Sequence, residues 1–251
     1  MHLLLTNDDG IHGEGLIRLK EALENRADLK VTVVAPDRER SAASHQITIF
    51  DPLILKEVGK NTYTLNGSPA DCVKISLEGF LKEKVDMVVS GVNNGPNMGV
   101  DVYYSGTVAA AREACFHSIP ALAFSLDGYG HEKEFDSAAH YGVKLIDMVL
   151  DKTWPEDLLL NVNFPNQALE EVKGIRVTRL GRRVYHDKVI ERESPMGWKY
   201  FWIGGDLPGF GEKKDSDFEA VSDGFVSVTP LQLDVTAYSL LDTVKSWGFL
   251  D

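Results

Sequence analysis

Directly behind a short apolar run, the chain sets two acids side by side in Thr6-Asn7-Asp8-Asp9-Gly10. Adjacent carboxylates repel unless a proton or a cation shares the site. Hard divalent ions such as Mg2+ and Mn2+ choose oxygen ligands, which makes Asp8 and Asp9 candidate metal anchors. The other reading is a plain acidic turn, which Asn-Asp-Asp-Gly also suits. Asn7, beside the acids, is a candidate substrate contact. Further oxygen donors follow in three places. Pro36-Asp37-Arg38-Glu39-Arg40-Ser41 offers the Ser41 hydroxyl, or is a solvated loop with a helix cap. The stretch 90–99 carries Asn93 and Asn97, whose neutral amides add no repulsion to the acid pair. Ser105-Gly106-Thr107 opens a helix-prone run, where free amides and hydroxyls can hold a phosphate, unless Ser105 or Thr107 is only an N-cap.

These residues need a frame that brings them together. Residues 2–6, 31–35, 85–90, 121–125 and 158–163 are short apolar runs ending in turns, as buried parallel strands do. Between them, 15–25 places Leu16, Leu19 and Leu23 at helical spacing, and 69–81, 107–115 and 136–150 also read as helices. Residues 47–56 and 63–65 read as extended. In open parallel sheets ligands bind beyond the carboxyl ends of the strands, where the oxygen-rich segments fall. After about residue 165 the texture changes. Extended segments at 175–179, 183–193 and 199–203 suggest hairpins, 204–216 reads as a mobile loop with four glycines, 225–229 as a strand and 237–247 as a helix. The expected fold is α/β: a Rossmann-like, mostly parallel sheet flanked by helices over 1–165, with a hairpin-rich extension over 166–251 that builds oligomer contacts.

Composition narrows the function. The chain has 251 residues, of which 43% are hydrophobic and 25% charged, as in an ordinary globular protein. Thirty-eight acids against 26 Lys and Arg give a net charge of −12, which repels a nucleic-acid backbone, so no polymeric nucleic acid is expected as a partner. A small phosphorylated substrate stays open if a metal or backbone amides offset the repulsion. Cys72 and Cys115 lack CxxC spacing and suggest a reducing compartment. With no apolar stretch near 18 residues, a soluble cytoplasmic protein with no membrane partner is expected. No GxxxxGK[ST], GxSxG or HExxH is present, and no GxGxxG follows the first strand. His12 and His45 are close enough in sequence to assist the site. Trp154, Trp198, Trp202 and Trp247 read as core or interface anchors.

At these residues the sequence resembles the SurE family of survival-protein nucleotidases. The stretches that carry the resemblance are LLLTNDDGI at 3–11, VVAPDRERSAASH at 33–45, GSPADCVKISL at 67–77, VSGVNNGPNMGVDVYYSGTVAAAREA at 89–114, and the later RVTRLGRR and VSVTPL. The resemblance implies a metal-dependent phosphatase acting on nucleoside 5′- and 3′-monophosphates, with short polyphosphate as a further substrate. It implies one divalent ion per subunit, Mg2+ or Mn2+, on Asp8, Asp9, Ser41 and Asn93. Asn97, Ser105, Gly106 and Thr107 would contact phosphate, and the C-terminal hairpins would be exchanged within a homodimer or homotetramer. In the mechanism this suggests, the cation lowers the pKa of a water, a carboxylate (Asp8 first) orients it, and the amides at 105–107 hold the phosphoryl oxygens. An aspartyl-phosphate route competes, although adjacent acids do not match the DxD spacing of haloacid-dehalogenase enzymes. The non-catalytic alternative is a nucleotide-binding regulatory module with the acid pair as a capping turn.

Overall fold

The computed structural model describes every residue except 25, 129–131, 185–186, 206–208, 211–213 and 249–251. The leucine run of β1 (His2–Thr6) is buried along its whole length. α1 (Glu14–Glu24) buries Leu16, Leu19 and Leu23 and carries the chain to β2 (Lys30–Pro36), parallel to β1. β3 (Leu55–Gly59) and β4 (Thr62–Leu65) form a hairpin whose second strand adds parallel to β2. α2 (Pro69–Ile75) crosses back to β5 (Met87–Asn94), on the opposite side of β1. α3 (Gly106–Phe116) leads to β6 (Ala121–Leu126), and α4 (Phe135–Val149) to β7 (Leu158–Phe164), with both strands parallel to β5.

The remaining elements are β8 (Ile175–Val177), β9 (Arg183–Val184), β10 (Asp187–Glu193), β11 (Lys199–Gly205), β12 (Gly209–Phe210), α5 (Asp217–Ser222), β13 (Val226–Gln232) and α6 (Leu241–Lys245). β13 returns antiparallel beside β7 and takes β8 on its outer side, so nine strands run β3-β4-β2-β1-β5-β6-β7-β13-β8. β10 and β11 make a separate two-stranded hairpin. α1 and α4 pack together on one face of the sheet over Leu3, Leu5 and Phe124, while α2 and α3 cover the other over Leu4, Val34 and Val88. The chain leaves β1 toward β2 and leaves β5 toward β6, so the strand order reverses between β1 and β5. A crevice for ligands opens at such a reversal.

Five expectations are modified. Of the extended stretch expected at 47–56, only its end joins a strand; Asp51 and Pro52 interrupt it, and Thr48 is tied to Asp71 instead of to a neighbouring strand. The helix expected to reach 81 leaves α geometry at Ser76–Phe80 for one π turn, where the Ser76 hydroxyl donates back to the Cys72 carbonyl at 2.6 Å. The helix expected at 237–247 shrinks to a 3-10 turn and α6, because Tyr238, Leu240, Leu241 and Val244 stay exposed rather than packing on a core. The long segment at 183–193 contains β9 and β10, and the expected mobile loop at 204–216 contains β12; parts of both expectations lie outside the described residues. α5 was not anticipated, although Ser216 with Glu219 three residues on is an N-cap signature, and the Ser216 side chain does accept from the Glu219 amide.

Gly15 shows how closely α1 must approach β5. A Cβ on it would stand 2.0 Å from the Val92 carbonyl oxygen. Gly15→Ala improves helix propensity by about 1 kcal/mol, but the backbone overlap outweighs that gain. Denaturant unfolding is expected to show a net loss of about 2–3 kcal/mol, and unchanged or raised stability would contradict this packing.

Candidate active site

The acid pair leaves β1 at the crevice. Asp8 is buried at 5% exposure, and its carboxylate is gripped by the start of α3: the Thr107 hydroxyl donates to Oδ1 at 2.5 Å and the Thr107 amide to Oδ2 at 3.2 Å. Gly106 lies against it, since a Cβ there would come within 3.1 Å of Asp8 Oδ2. Asp9, half-buried, accepts the Asn94 amide on Oδ2 at 2.9 Å, which ties the turn to the end of β5. Gly10, at φ +89, closes the turn against the Arg38 backbone. The Arg40 amide donates to the Asp8 carbonyl at 2.7 Å. Three segments far apart in sequence, at 38–40, 94 and 106–107, therefore converge on the turn that carries the two carboxylates.

Burial pushes the Asp8 carboxyl up to about 6; the Thr107 hydroxyl works against that rise and the Asp9 charge adds to it. Asp9 is also raised, first by burial and then by Glu39, while the Asn94 amide and Lys133 oppose the shift. Lys133, whose ammonium donates to the Asp127 and Gly128 carbonyls, is thus a cation beside the acid pair. Sequence reasoning missed it, because a lone lysine between β6 and α4 carries no motif.

The other expected site residues divide. Asn93 is half-buried beside the turn and gives its amide NH2 to the Gly95 carbonyl at 2.8 Å, which leaves Oδ1 as an acceptor. Asn7 is fully buried; its NH2 holds the Gly10 carbonyl at 2.8 Å, and its Oδ1 has no partner. Ser41 is exposed, one residue past Arg40, and its hydroxyl donates to Glu39 at 2.6 Å. Ser105 caps α3 by accepting the Val108 amide at 3.0 Å. The amides expected to be free at 105–107 are thus partly engaged: Thr107 serves Asp8, because a buried carboxylate is the nearest strong acceptor. Asn97 is a strand clamp. Its side-chain NH2 donates to Ser125 Oγ at 2.8 Å, and its backbone carbonyl takes the Asn161 and Asn163 side-chain amides. His45, weighed from the sequence only as a group near enough to assist, pairs at 2.8 Å with buried Glu113 on α3 and stacks on Phe116. His12 is exposed. Asp217 was also unforeseen. Fully buried, it accepts the Gly99 and Gly181 amides at 2.8 Å each and fastens the extension to the 95–104 loop.

One buried and one half-buried acid, a neutral amide oxygen and an orphaned buried amide oxygen form an oxygen-only set suited to a hard divalent cation. Among the described residues no three His, Cys, Asp or Glu side chains cluster as ligands, so any ion here leans on neutral oxygens. A cavity of about 750 Å3 between α1 and α4 is lined by none of these residues.

A nine-stranded α/β sheet with carboxylates at its reversal point defines a class of ligand-binding α/β proteins. Within that class the chain belongs to the survival protein SurE family, whose profile matches residues 3–187. It is 43% identical over 253 residues to the 5′-nucleotidase SurE of Carboxydothermus hydrogenoformans, covering 98% of this chain and 96% of that one. It is 45% identical over 247 residues to the 5′-nucleotidase SurE of Geobacter sulfurreducens, covering 98% and 94%. The crystal structure of the SurE protein from Aquifex aeolicus superposes with a TM-score of 0.88 at 41% identity, covering 98% and 99%.

The Thr107 clamp is testable without any activity. With EDTA present, Thr107→Val is expected to cost about 2 kcal/mol, the loss of a hydrogen bond to a buried charge. Thr107→Ser keeps the donor and is expected to stay within about 1 kcal/mol of the parent in the same unfolding titration. Unchanged stability in Thr107→Val, with the loss falling on Thr107→Ser, would show that packing of the methyl group, not the hydroxyl, matters.

Proposed function

We propose that the chain is a phosphatase that hydrolyses nucleoside monophosphates at the turn after β1. The observation that carries this reading is buried Asp8 beside half-buried Asp9 at the sheet's reversal point, a charge arrangement that calls for a cation and offers it oxygens. Asp8, Asp9 and Asn93 Oδ1 would hold a divalent ion, with the Ser41 hydroxyl joining by turning from Glu39. When bound, such an ion supplies positive charge to the phosphoryl oxygens and acidifies a water. Thr107 keeps the Asp8 carboxylate fixed. Asp9 Oδ1, which takes no donor among the described residues, is better placed than Asp8 to orient the attacking water and accept its proton. Lys133, with Arg38 and Arg40 on the adjoining loop, offsets the net charge of −12 where a phosphate must approach. The Gly106 region at the start of α3 adds the positive end of a helix dipole.

The names of the relatives support 5′-monophosphates as substrates, and the family resemblance adds 3′-monophosphates and short polyphosphate. Mg2+ or Mn2+ suits the donor set. A homodimer or homotetramer is supported by the hairpin of β10 and β11, which leaves Trp198, Phe201, Trp202 and Ile203 exposed as an apolar patch. No helix among the described residues is long and apolar enough to cross a membrane, and two free buried thiols, Cys72 and Cys115, accord with a reducing cytoplasm.

Purified protein with AMP and Mn2+ is expected to release inorganic phosphate, with release lost in EDTA. Asp9→Ala is expected to keep its circular dichroism and fall below about a hundredth of the parent rate. Nucleotide binding without release would favour the regulatory module instead.

A further inference from the structure

Glu113 is a buried carboxylate on α3 that the proposed chemistry does not use, and a charge taken out of water there costs free energy unless it is paired. Three groups meet it. His45 Nε2 donates to Oε2 at 2.8 Å, the Lys74 ammonium on α2 donates to Oε1 at 3.3 Å, and His117 Nε2 lies 3.5 Å from Oε1. Burial alone would raise the carboxyl, but the bonds from His45 and Lys74 outweigh it and hold Glu113 below the usual range. His45 is fixed in turn by stacking on Phe116, with ring centroids 5.4 Å apart.

His45 ends a turn whose backbone does not hold itself. Ala42 and Ser44 have φ of 55° and 52°, a left-handed conformation that a Cβ disfavours and that persists only where the surroundings enforce it. The enforcing contacts run along the segment. The Arg40 amide donates to the Asp8 carbonyl at 2.7 Å, and the Ser44 amide and hydroxyl donate to the Tyr104 and Tyr103 carbonyls at 2.9 and 2.7 Å. His45 on Glu113 closes the turn at its far end, and the Gln46 carbonyl beyond takes the Ser68 hydroxyl at 2.6 Å. Ser41 lies between the first two of these anchors. The helix that receives His45 is also the helix whose start grips Asp8, through Thr107, six residues before Glu113. One element thus sets the turn that carries Ser41 and the carboxylate of Asp8 relative to each other.

We propose that Glu113 is a positioning residue for the site: through His45 it holds the 40–45 turn, and Ser41 with it, in place beside the carboxylate that Thr107 fixes. It touches neither ion nor substrate. The proposal rests on the metal-dependent phosphatase reading and adds to it a residue that acts through another. Lys74 binds the same carboxylate and Glu78 but not the turn, so its removal is a control for stability alone.

Glu113→Ala, His45→Ala, the double variant and Lys74→Met test this with two readouts. Hydrogen exchange in EDTA reads the turn without any ion. Both single alanine variants are expected to speed exchange of a peptide spanning 40–46 about tenfold, with β6 and β7 peptides unchanged. Calorimetry is expected to show Mn2+ binding weakened about tenfold in the same two variants, and no further in the double variant, since the pair forms one link. Lys74→Met is expected to stay within about twofold of the parent in both readouts, even where its unfolding midpoint falls. His45→Ala leaves the helix interior intact and decides the matter should Glu113→Ala not fold. Unchanged exchange at 40–46, additive losses in the double variant, or a Lys74→Met effect as large as that of Glu113→Ala would overturn the positioning role. So would a loosened turn with undiminished Mn2+ affinity. If the parent itself takes up no Mn2+ while the exchange differences appear as expected, Glu113 still holds the turn and the metal reading falls.

Discussion

Two negative charges held a residue apart, in a crevice largely closed to water, are the constraint around which the rest of this protein is arranged. Burial raises both carboxyls, with the Asp9 charge adding to the rise on Asp8 and the Glu39 charge to that on Asp9. The fold meets that cost only in part, with the Thr107 hydroxyl and amide on Asp8, the Asn94 amide on Asp9 and the Lys133 ammonium nearby. On the function proposed above, a cation and the phosphate it carries would complete that charge, and a ligand that binds only the folded chain would add stability by mass action.

Everything around the pair fixes its position. α3 begins where it does because Ser105 caps it and Gly106 lets its first turn lie against Asp8. α1 can start immediately behind the turn because Gly15 admits the Val92 carbonyl. Further out, Asn97 is clamped by Asn161, Asn163 and Ser125, so the loop after β5 is braced by the ends of β6 and β7. Asp217 extends that bracing into the C-terminal part, whose strands β13 and β8 enlarge the same sheet. The site is thereby supported from both halves of the chain.

Much of this was legible in the sequence. The buried parallel strands announced themselves as unbroken Leu and Val runs, and the acid pair, Asn93 and the 105–107 turn stood at their carboxyl ends, where chemistry gathers in such sheets. The partners inside the site were not legible. That Thr107 serves Asp8 is settled by distances of a few ångströms between segments about a hundred residues apart, and no spacing rule encodes that; nor does one say that Ser41 turns to Glu39, two residues before it. The same holds for His45: its place in the VVAPDRERSAASH stretch suggested the site, yet buried Glu113 is the stronger attractor for an imidazole. Lys133 and Asp217 were invisible for a related reason, since each acts alone and its meaning comes only from what the fold sets opposite it. The short α6 failed for want of packing: its apolar pattern is helical, but no core surface covers it.

The central claim is that the carboxylates behind β1 exist to grip one metal ion. Crystals grown with Mn2+ and measured at a wavelength where manganese scatters anomalously would test it most directly. The account predicts a single strong anomalous peak per chain about 2.0–2.3 Å from oxygens of both Asp8 and Asp9, with Asn93 completing the set. A peak bound elsewhere, or none while Asp8 keeps only its Thr107 partners, would contradict it.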